Sequence, residues 1–306
     1  MTHILCLGFG FCAAELSKTL EEKGWKISAT TRDAEKAAAL KAQNINALLW
    51  TDKGVWTDKG VWTDRGIGEI LPDDITHILI SAPPANSPVD SGDVFLAHFA
   101  AQSLPPLPQL KWLGYLSTTS VYGNKEGALV DEDTAAAPTS TRGQRRVLAE
   151  QGWLNWGQTR QVPTYIFRLA GIYGAGRNAL ARVQAGTAQR IYKEGQLFSR
   201  IHVADIAQIL YASMRGVAPH KTRLYNICDD MPAPPQDVIA YAAQTLGLAL
   251  PALINYDEAD LSVMAKSFYT ENKRVDNQRI KDELGVRLLY ANYKIGLDDI
   301  FQKGDF

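Results

Sequence analysis

The chain has 306 residues, 46% hydrophobic and 21% charged, enough to bury a large core in two domains or in one domain with an extension. Its 32 Lys+Arg against 33 Asp+Glu leave a formal net charge of -1 with no Lys/Arg run, which excludes a nucleic-acid or anionic-membrane surface as the main partner. Cys6, Cys12 and Cys228 are odd in number and far apart, so neither a disulfide framework nor a zinc site is expected, and a reducing compartment fits. The apolar run before the first glycines is too short for a signal peptide and no later run could span a bilayer, so a cytoplasmic protein is expected.

The first element reads as an apolar strand, Ile4 to Leu7, followed by a glycine turn from Gly8 to Ala13 and a helix that Gly24 can close. In a dinucleotide-binding unit the first glycine allows the tight turn and the second lets main-chain N–H groups approach a pyrophosphate. A third small residue lets helix pack on strand. Gly8, Gly10 and Ala13 fill these places, and Phe11 opens the helix whose N-terminus would face the phosphates. A second strand, Trp25 to Thr30, follows as the motif requires.

The end of that second strand sets nucleotide preference. An NAD site usually carries an acid there to accept from the ribose 2′-hydroxyl, whereas this chain reads Ala29-Thr30-Thr31-Arg32 with Lys36 one helical turn on. Thr31 and Arg32 therefore point to the 2′-phosphate of NADP, with NAD as the other candidate; the plain alternative is a solvated helix start at Asp33.

A third strand is expected from Asn44 to Trp50. Three copies of a hexad follow, beginning at Trp50, Trp56 and Trp62. Three copies cannot build a solenoid with its own core, and a glycine every six residues disfavours a long helix. The repeat reads as a duplicated surface excursion, or alternatively as a contact surface of exposed tryptophans. The fourth strand, His77 to Ser81, ends in Ser81-Ala82-Pro83-Pro84, small residues that leave room for a ligand at the carboxyl edge of the sheet. A crossover helix from Val94 to Leu104 and a fifth strand from Lys111 to Leu116 complete this half.

The run Ser117-Thr118-Thr119-Ser120-Val121-Tyr122-Gly123 follows, then Arg168-Leu169-Ala170-Gly171-Ile172-Tyr173-Gly174, Ile201-His202-Val203-Ala204-Asp205 and Tyr225-Asn226-Ile227. With the glycine turn, these spaced segments resemble the extended short-chain dehydrogenase/reductase family, which includes sugar-nucleotide epimerases and dehydratases. The resemblance covers about residues 3 to 228. It implies an α/β fold, a Rossmann doubly wound parallel sheet with a smaller C-terminal substrate lobe. Residues 1–170 and 201–230 would form the dinucleotide-binding domain, and 171–200 with 231–306 the substrate lobe. It further implies that Ser81, Ala82, Ser117 and Ala170 line the cofactor, that Thr118 polarises a substrate carbonyl, that the substrate is a small polar molecule, and that the chain forms a homodimer.

The family also carries a Tyr-x-x-x-Lys pair on the next helix. Alignment on Pro138 and on Val147 to Glu150 puts Arg142 at the Tyr position and Arg146 at the Lys position. Arg146 could hold a ribose, but a guanidinium keeps its proton near neutral pH, so Arg142 is no general acid. Three outcomes stay open: Tyr122 or Tyr173 carries the proton; Arg142 clamps an anionic substrate group; or dinucleotide binds without turnover, as in a sensor of NADP(H). Both arginines could also belong to a solvated helix face with Arg145 and Glu150. The Arg-Asp-aromatic run that commonly holds a diphosphate in the family reads Phe198-Ser199-Arg200 here, which argues against a sugar nucleotide. His202 reads as structural at a strand-to-helix junction, with Asp205 facing the sheet edge.

In the C-terminal part, helices are predicted from Gln236 to Leu246, stopped by Gly247, and from Val275 to Leu284, closed by Gly285. A short strand is predicted near Leu288 to Tyr290, and Lys273-Arg274 faces either cleft or water.

Overall fold

The computed structural model describes residues 1–51, 54–56, 62–63, 70–84, 93–101, 107–216 and 222–306. In chain order its elements begin with β1 (His3–Leu7), α1 (Phe11–Glu22), β2 (Lys26–Thr31), α2 (Ala34–Ala42), β3 (Asn46–Thr51), β4 (Gly54–Trp56), β5 (Trp62–Thr63), β6 (His77–Ile80) and α3 (Val94–Ala101). They continue with β7 (Trp112–Thr118), a 3₁₀ turn (Thr119–Tyr122), β8 (Leu129–Val130), α4 (Thr141–Thr159), β9 (Thr164–Leu169), β10 (Gly171–Tyr173) and α5 (Ala179–Gln184). The last are β11 (Arg190–Tyr192), β12 (Arg200–His202), α6 (Val203–Gly216), β13 (Arg223–Ile227), α7 (Pro235–Thr245), β14 (Leu253–Asn255), α8 (Val263–Tyr269), β15 (Arg274–Val275), α9 (Gln278–Leu284) and α10 (Tyr293–Lys303).

The main sheet runs β13-β9-β7-β6-β1-β2-β3-β4-β5, its first seven strands parallel and flanked by helices. This is the expected Rossmann architecture. Every residue of β1, β6 and β9 is buried, as strands covered on both faces require. The order reverses between β1 and β6, so the crevice at their carboxyl ends is the topological switch point where open α/β sheets bind ligands.

The chain divides into two compact units. The first comprises Met1–Ser117, Arg145–Phe167 and Leu210–Leu224; the second comprises Thr118–Gln144, Arg168–Ile209 and Tyr225–Phe306. The first unit's core is aromatic between α3 and α4, where Phe99 meets Trp153 edge-on at 5.5 Å and the Trp153 indole N–H donates to Asp93 at 2.8 Å. Gly152 lets the helices approach this closely, because a Cβ there would lie 2.2 Å from Leu96 Cδ2. The second unit's core gathers Tyr173, Leu180, Val238, Ile239, Tyr293 and Leu297 from β10, α5, α7 and α10.

The hexad repeat extends the sheet. β4 pairs antiparallel with β3 through Trp50↔Val55 and Thr51↔Gly54, and β5 pairs with β4 through Trp56↔Trp62. Equivalent positions of two copies thus face each other across a ladder; the remaining residues of the repeat lie outside those described, as do Leu104, Pro105 and Pro106. Two C-terminal expectations are corrected. Val275 belongs to β15, paired with β8, so the helix starts at Gln278. No strand forms from Leu288 to Tyr290, because the N–H groups of Leu289 and Tyr290 donate to the buried Asp205 carboxylate at 2.7 and 3.0 Å instead of to a neighbouring strand.

Candidate functional site

In the first unit the glycine turn is knitted to its neighbours through the main chain of Gly8. Its N–H donates to Thr30 Oγ1 at 2.7 Å and its carbonyl accepts from Ser81 Oγ at 2.8 Å, while the N–H groups of Ser81 and Ala82 both donate to the Leu7 carbonyl at 3.0 Å. Gly8 has φ +86°, and a Cβ on it would lie 3.0 Å from Ala82 Cβ, so only glycine fits. Gly10 differs: it caps α1 without any side-chain bond, and a Cβ built on it meets nothing within 4 Å. Ala13 is fully buried against the sheet. A closed turn, an open second glycine ahead of Phe11 and a helix N-terminus together fit a dinucleotide pyrophosphate.

At the end of β2, Thr31 Oγ1 accepts from the Asp33 N–H at 3.2 Å, and the Asp33 carboxylate caps α2 by accepting from the Lys36 N–H at 3.0 Å. The nearest acid is thereby committed to its own helix. Arg32 is exposed, and the Lys36 ammonium reaches back to donate to the Phe9 carbonyl in the glycine turn. Two cations therefore flank the strand end.

Farther along the sheet, Ser117 is buried with its hydroxyl donating to Glu150 Oε1 at 2.5 Å. Arg146 Nη1 donates to the Tyr115 hydroxyl at 3.1 Å and the Leu116 carbonyl at 2.6 Å, with the guanidinium 5.7 Å from the Tyr115 ring centroid. Burial pushes the Tyr115 phenol well above its ordinary value. Arg146 is tied to the end of β7.

In the second unit Thr118 is half-buried at the start of the 3₁₀ turn. Its Oγ1 accepts from the Ser120 N–H at 3.3 Å and lies 3.5 Å from Ser120 Oγ. The two tyrosines suggested as proton carriers are core residues. Tyr122 is fully buried and donates to Asn226 Oδ1 at 2.7 Å beneath the Arg168 guanidinium, 4.7 Å from its ring centroid. Tyr173 is buried in the α5–α7–α10 core with its hydroxyl 3.4 Å from the Asn292 carbonyl. Desolvation raises both phenols, making proton release harder. Ala170 is buried at the end of β9, its N–H donating to the Ile227 carbonyl at 3.0 Å.

Arg142 lies exposed on the first turn of α4, its guanidinium over the Phe268 ring of α8 at 5.7 Å. The next residue, Gly143, packs where a Cβ would be 2.9 Å from the Ser120 carbonyl, so the helix start and the hydroxyl turn touch. Gly123, with φ +67°, ends the turn, and its carbonyl accepts from Lys273 Nζ at 2.9 Å. Lys273 is in turn paired with Glu271 at 2.6 Å, both side chains about nine-tenths buried. Burial lowers the Lys273 pKa, while Glu271 opposes that shift.

The sequence profile of the NAD dependent epimerase/dehydratase family matches residues 4–228, most of the chain and nearly the span over which the motifs agree. The chain belongs to this family. A functionally unknown conserved protein from Silicibacter pomeroyi DSS is 44% identical with a TM-score of 0.80, each chain covered over 100% of its length. The dTDP-glucose 4,6-dehydratase of Bacillus anthracis str. Ames, solved in complex with NAD, shares the fold at 18% identity and TM-score 0.72, over 99% of this chain and 96% of that one. So does the UDP-glucuronic acid 4-epimerase of Bacillus cereus in complex with NAD, at 16% identity and TM-score 0.74 over 99% of both chains. A search of curated proteins gave no match.

Within this epimerase/dehydratase family member, several contacts are invisible to motif reading. Glu271 and Phe268 come from a segment beyond the family match and only their packing reveals them, while Lys273, read from the sequence as facing cleft or water, is instead buried against Glu271 and the Gly123 carbonyl. Arg200, the displaced cation of the Phe198-Ser199-Arg200 run, donates through Nη1 to the carbonyls of Phe198 and Ala233 at 2.8 and 3.1 Å, beside the buried Asp229. It braces the loop before β12. His202 ends β12 with its ring 4.0 Å from that of Tyr290, in the structural position expected. Among the described residues no helix is long and apolar enough to cross a membrane, and no cluster of His, Cys, Asp or Glu could hold a metal ion.

Proposed function

We propose that this family member is an NADP(H)-dependent oxidoreductase or epimerase/dehydratase-like enzyme with an active site lacking the usual Tyr-x-x-x-Lys pair. The observation that carries the cofactor reading is the end of β2: Arg32 exposed, Lys36 bonded to the glycine turn, and Asp33 spent on capping α2. A phosphate is favoured there and a ribose 2′-hydroxyl finds no free acid. Gly8, Gly10 and Phe11 would hold the pyrophosphate, Thr31 with Arg32 the 2′-phosphate, and Ser81 with Ala82 the middle of the dinucleotide. When bound, the nicotinamide supplies hydride exchange.

Thr118 is the residue best suited to polarise a substrate carbonyl: its oxygen accepts from the Ser120 N–H, and its hydroxyl, which donates to Ser120 Oγ over a long 3.5 Å, would exchange that weak bond for one to a carbonyl. Arg142 suits an anionic substrate group, with a charge that does not titrate near neutrality. A substrate without a nucleotide diphosphate is favoured because the Arg200 guanidinium is already committed to two carbonyls. Cytoplasmic location, a homodimer and the division into a Rossmann domain and a substrate lobe belong to the same proposal.

A second reading is a non-catalytic NADP(H) sensor. It is favoured by burial of Tyr122 and Tyr173 and by attachment of Arg146 to Tyr115 and Leu116, which together remove the familiar proton path. The test mixes protein, NADPH and a panel of aldehydes and ketones and follows nicotinamide absorbance, then repeats with Thr118→Ala. Turnover lost in Thr118→Ala supports the enzyme; tight NADPH binding with no turnover of any panel member supports the sensor.

A further inference from the structure

Within the first unit, the end of α1, the start of β2 and the end of α2 enclose a cleft of about 240 Å³ lined by Glu21, Trp25, Lys26, Ile27, Gln43 and Asn44. β2 runs from Lys26 at this cleft to Thr31 beside the glycine turn, roughly 17 Å of strand. The cleft is therefore at the amino edge of the sheet, away from the turn that fits a pyrophosphate. Lys26 is committed elsewhere: its Nζ lies 3.0 Å from Asp74 Oδ2, and Asp74 Oδ1 also meets the buried His3 Nδ1 at 2.7 Å. Glu21 is exposed, and its carboxylate has no side-chain partner among the described residues. The Trp25 ring is held in place by two neighbours, its centroid 4.7 Å from that of His77 and 6.3 Å from that of Tyr211. Both helices end at the cleft, α1 with no basic residue in its last turn, so its terminal carbonyls add negative potential there. Lys23, which caps α1, does not line the cleft. Gln43 caps α2, and Asn44 follows in the left-handed conformation at φ +60°, which leaves two exposed side-chain amides on the rim.

We infer that this cleft is a second ligand site, and that its ligand class is a compact organic cation, an amine or guanidine on a short apolar or aromatic body. Glu21 takes the charge, the Trp25 ring takes the apolar body and the adjoining cation edge, and the amide oxygens of Gln43 and Asn44 accept the remaining N–H groups. Carboxylate, ring face and helix end all favour positive charge. An anion would meet Glu21 and find only a lysine already neutralised by Asp74. The volume lies below the roughly 300–1,000 Å³ of clefts for drug-sized ligands, so the occupant is fragment-sized. A ligand held at the amino edge does not reach the carboxyl edge where the nicotinamide is proposed, so it acts as an effector and not as the hydride partner. This site stands whether or not the cofactor reading does.

The test is calorimetric titration of the full-length protein with three probes of similar size: phenethylammonium, the neutral 2-phenylethanol and the anionic 3-phenylpropionate. Phenethylammonium should bind about fivefold or more tightly than the alcohol, the scale of one cation–π contact plus one exposed ion pair, and the propionate should bind least. Glu21→Gln should cut the affinity for the cation about threefold or more and leave that for the alcohol unchanged, whereas Trp25→Leu should weaken both. Glu21 lies on an exposed helix end, so thermal unfolding of Glu21→Gln should match that of the wild type and separate lost binding from lost fold. Saturating NADPH should leave the affinity for the cation unchanged; failure of NADPH itself to bind would strike the cofactor reading alone. The inference is overturned if phenethylammonium shows no saturable binding up to about 10 mM, binds no better than the alcohol, competes with NADPH, or is indifferent to Glu21→Gln.

Discussion

The glycine turn after β1 and the hydroxyl turn after β7 are both short loops at strand ends, yet different forces hold them. Gly8 is fixed by neutral hydrogen bonds to Thr30 and Ser81 and by contact with Ala82, partners on adjoining strands. Gly123 is fixed by an ammonium 150 residues away, itself buried in an ion pair with Glu271. A turn held by several neutral contacts should tolerate the loss of any one side chain. A turn resting on a buried charge should not.

The contrast predicts a hierarchy of effects. Largest is Lys273→Met, which leaves the Glu271 carboxylate buried without its partner; urea denaturation should report a loss of about 3–5 kcal/mol, as for other broken buried pairs. A loss under about 1 kcal/mol would mean that water already screens the pair. Next is Gly8→Ala, where a positive φ and the close approach of Ala82 should together cost about 1–3 kcal/mol and abolish nucleotide binding. Gly10→Ala sharpens the comparison. Its Cβ meets nothing within 4 Å, so stability should hold within about 0.5 kcal/mol while nucleotide affinity falls, separating the fold's glycine from the ligand's.

pH offers a third way to distinguish the units. In the second unit, desolvation raises the Asp229 pKa from 3.8 to about 7, since its carboxylate is 1% exposed and its Oδ2 lacks a hydrogen-bond partner in the described structure. The folded state therefore holds a proton that the unfolded chain releases near the ordinary carboxylate pKa. Stability should fall as pH rises from about 4 to about 7, with a slope approaching 1.4 kcal/mol per pH unit, and level off above that window. Asp229→Asn should flatten this stretch of the stability–pH curve; an unchanged slope would assign it to another group. Among the side-chain deletions the smallest effect is expected from Ser81→Ala, which removes one neutral bond to the Gly8 carbonyl and should cost about 1 kcal/mol by thermal or urea unfolding.

The same contrast explains what could be read from the sequence. The glycine turn and the hydroxyl run are local patterns: Gly10 caps α1 directly after β1 and Thr118 starts the 3₁₀ turn after β7, while the strand order came from the family resemblance. The functions of polar residues depend on distant partners, which spacing does not encode. Tyr122 looked available beside a hydroxyl run but is covered by Arg168 and bonded to Asn226, 104 residues on. Arg146, aligned with the Lys of the family pair, donates through Nη1 to Tyr115 and Leu116, about thirty residues earlier, partners that spacing does not show. Leu288 to Tyr290 has strand-like composition, but Asp205 captures two of its N–H groups from 84 and 85 residues earlier. In the repeat, the hexad period signalled something extra without specifying that its copies would pair with each other on the sheet edge.

The central claim is that the turn after β1, together with Arg32 and Lys36, binds a phosphorylated dinucleotide. Parallel titrations of NADPH and NADH into the wild-type protein and Arg32→Ala, followed by nicotinamide fluorescence, test it most directly. The account predicts NADPH tighter than NADH by about tenfold or more, with the difference largely erased in Arg32→Ala and NADH affinity unchanged. Equal affinities, a preference for NADH, or no saturable binding of either nucleotide would contradict it.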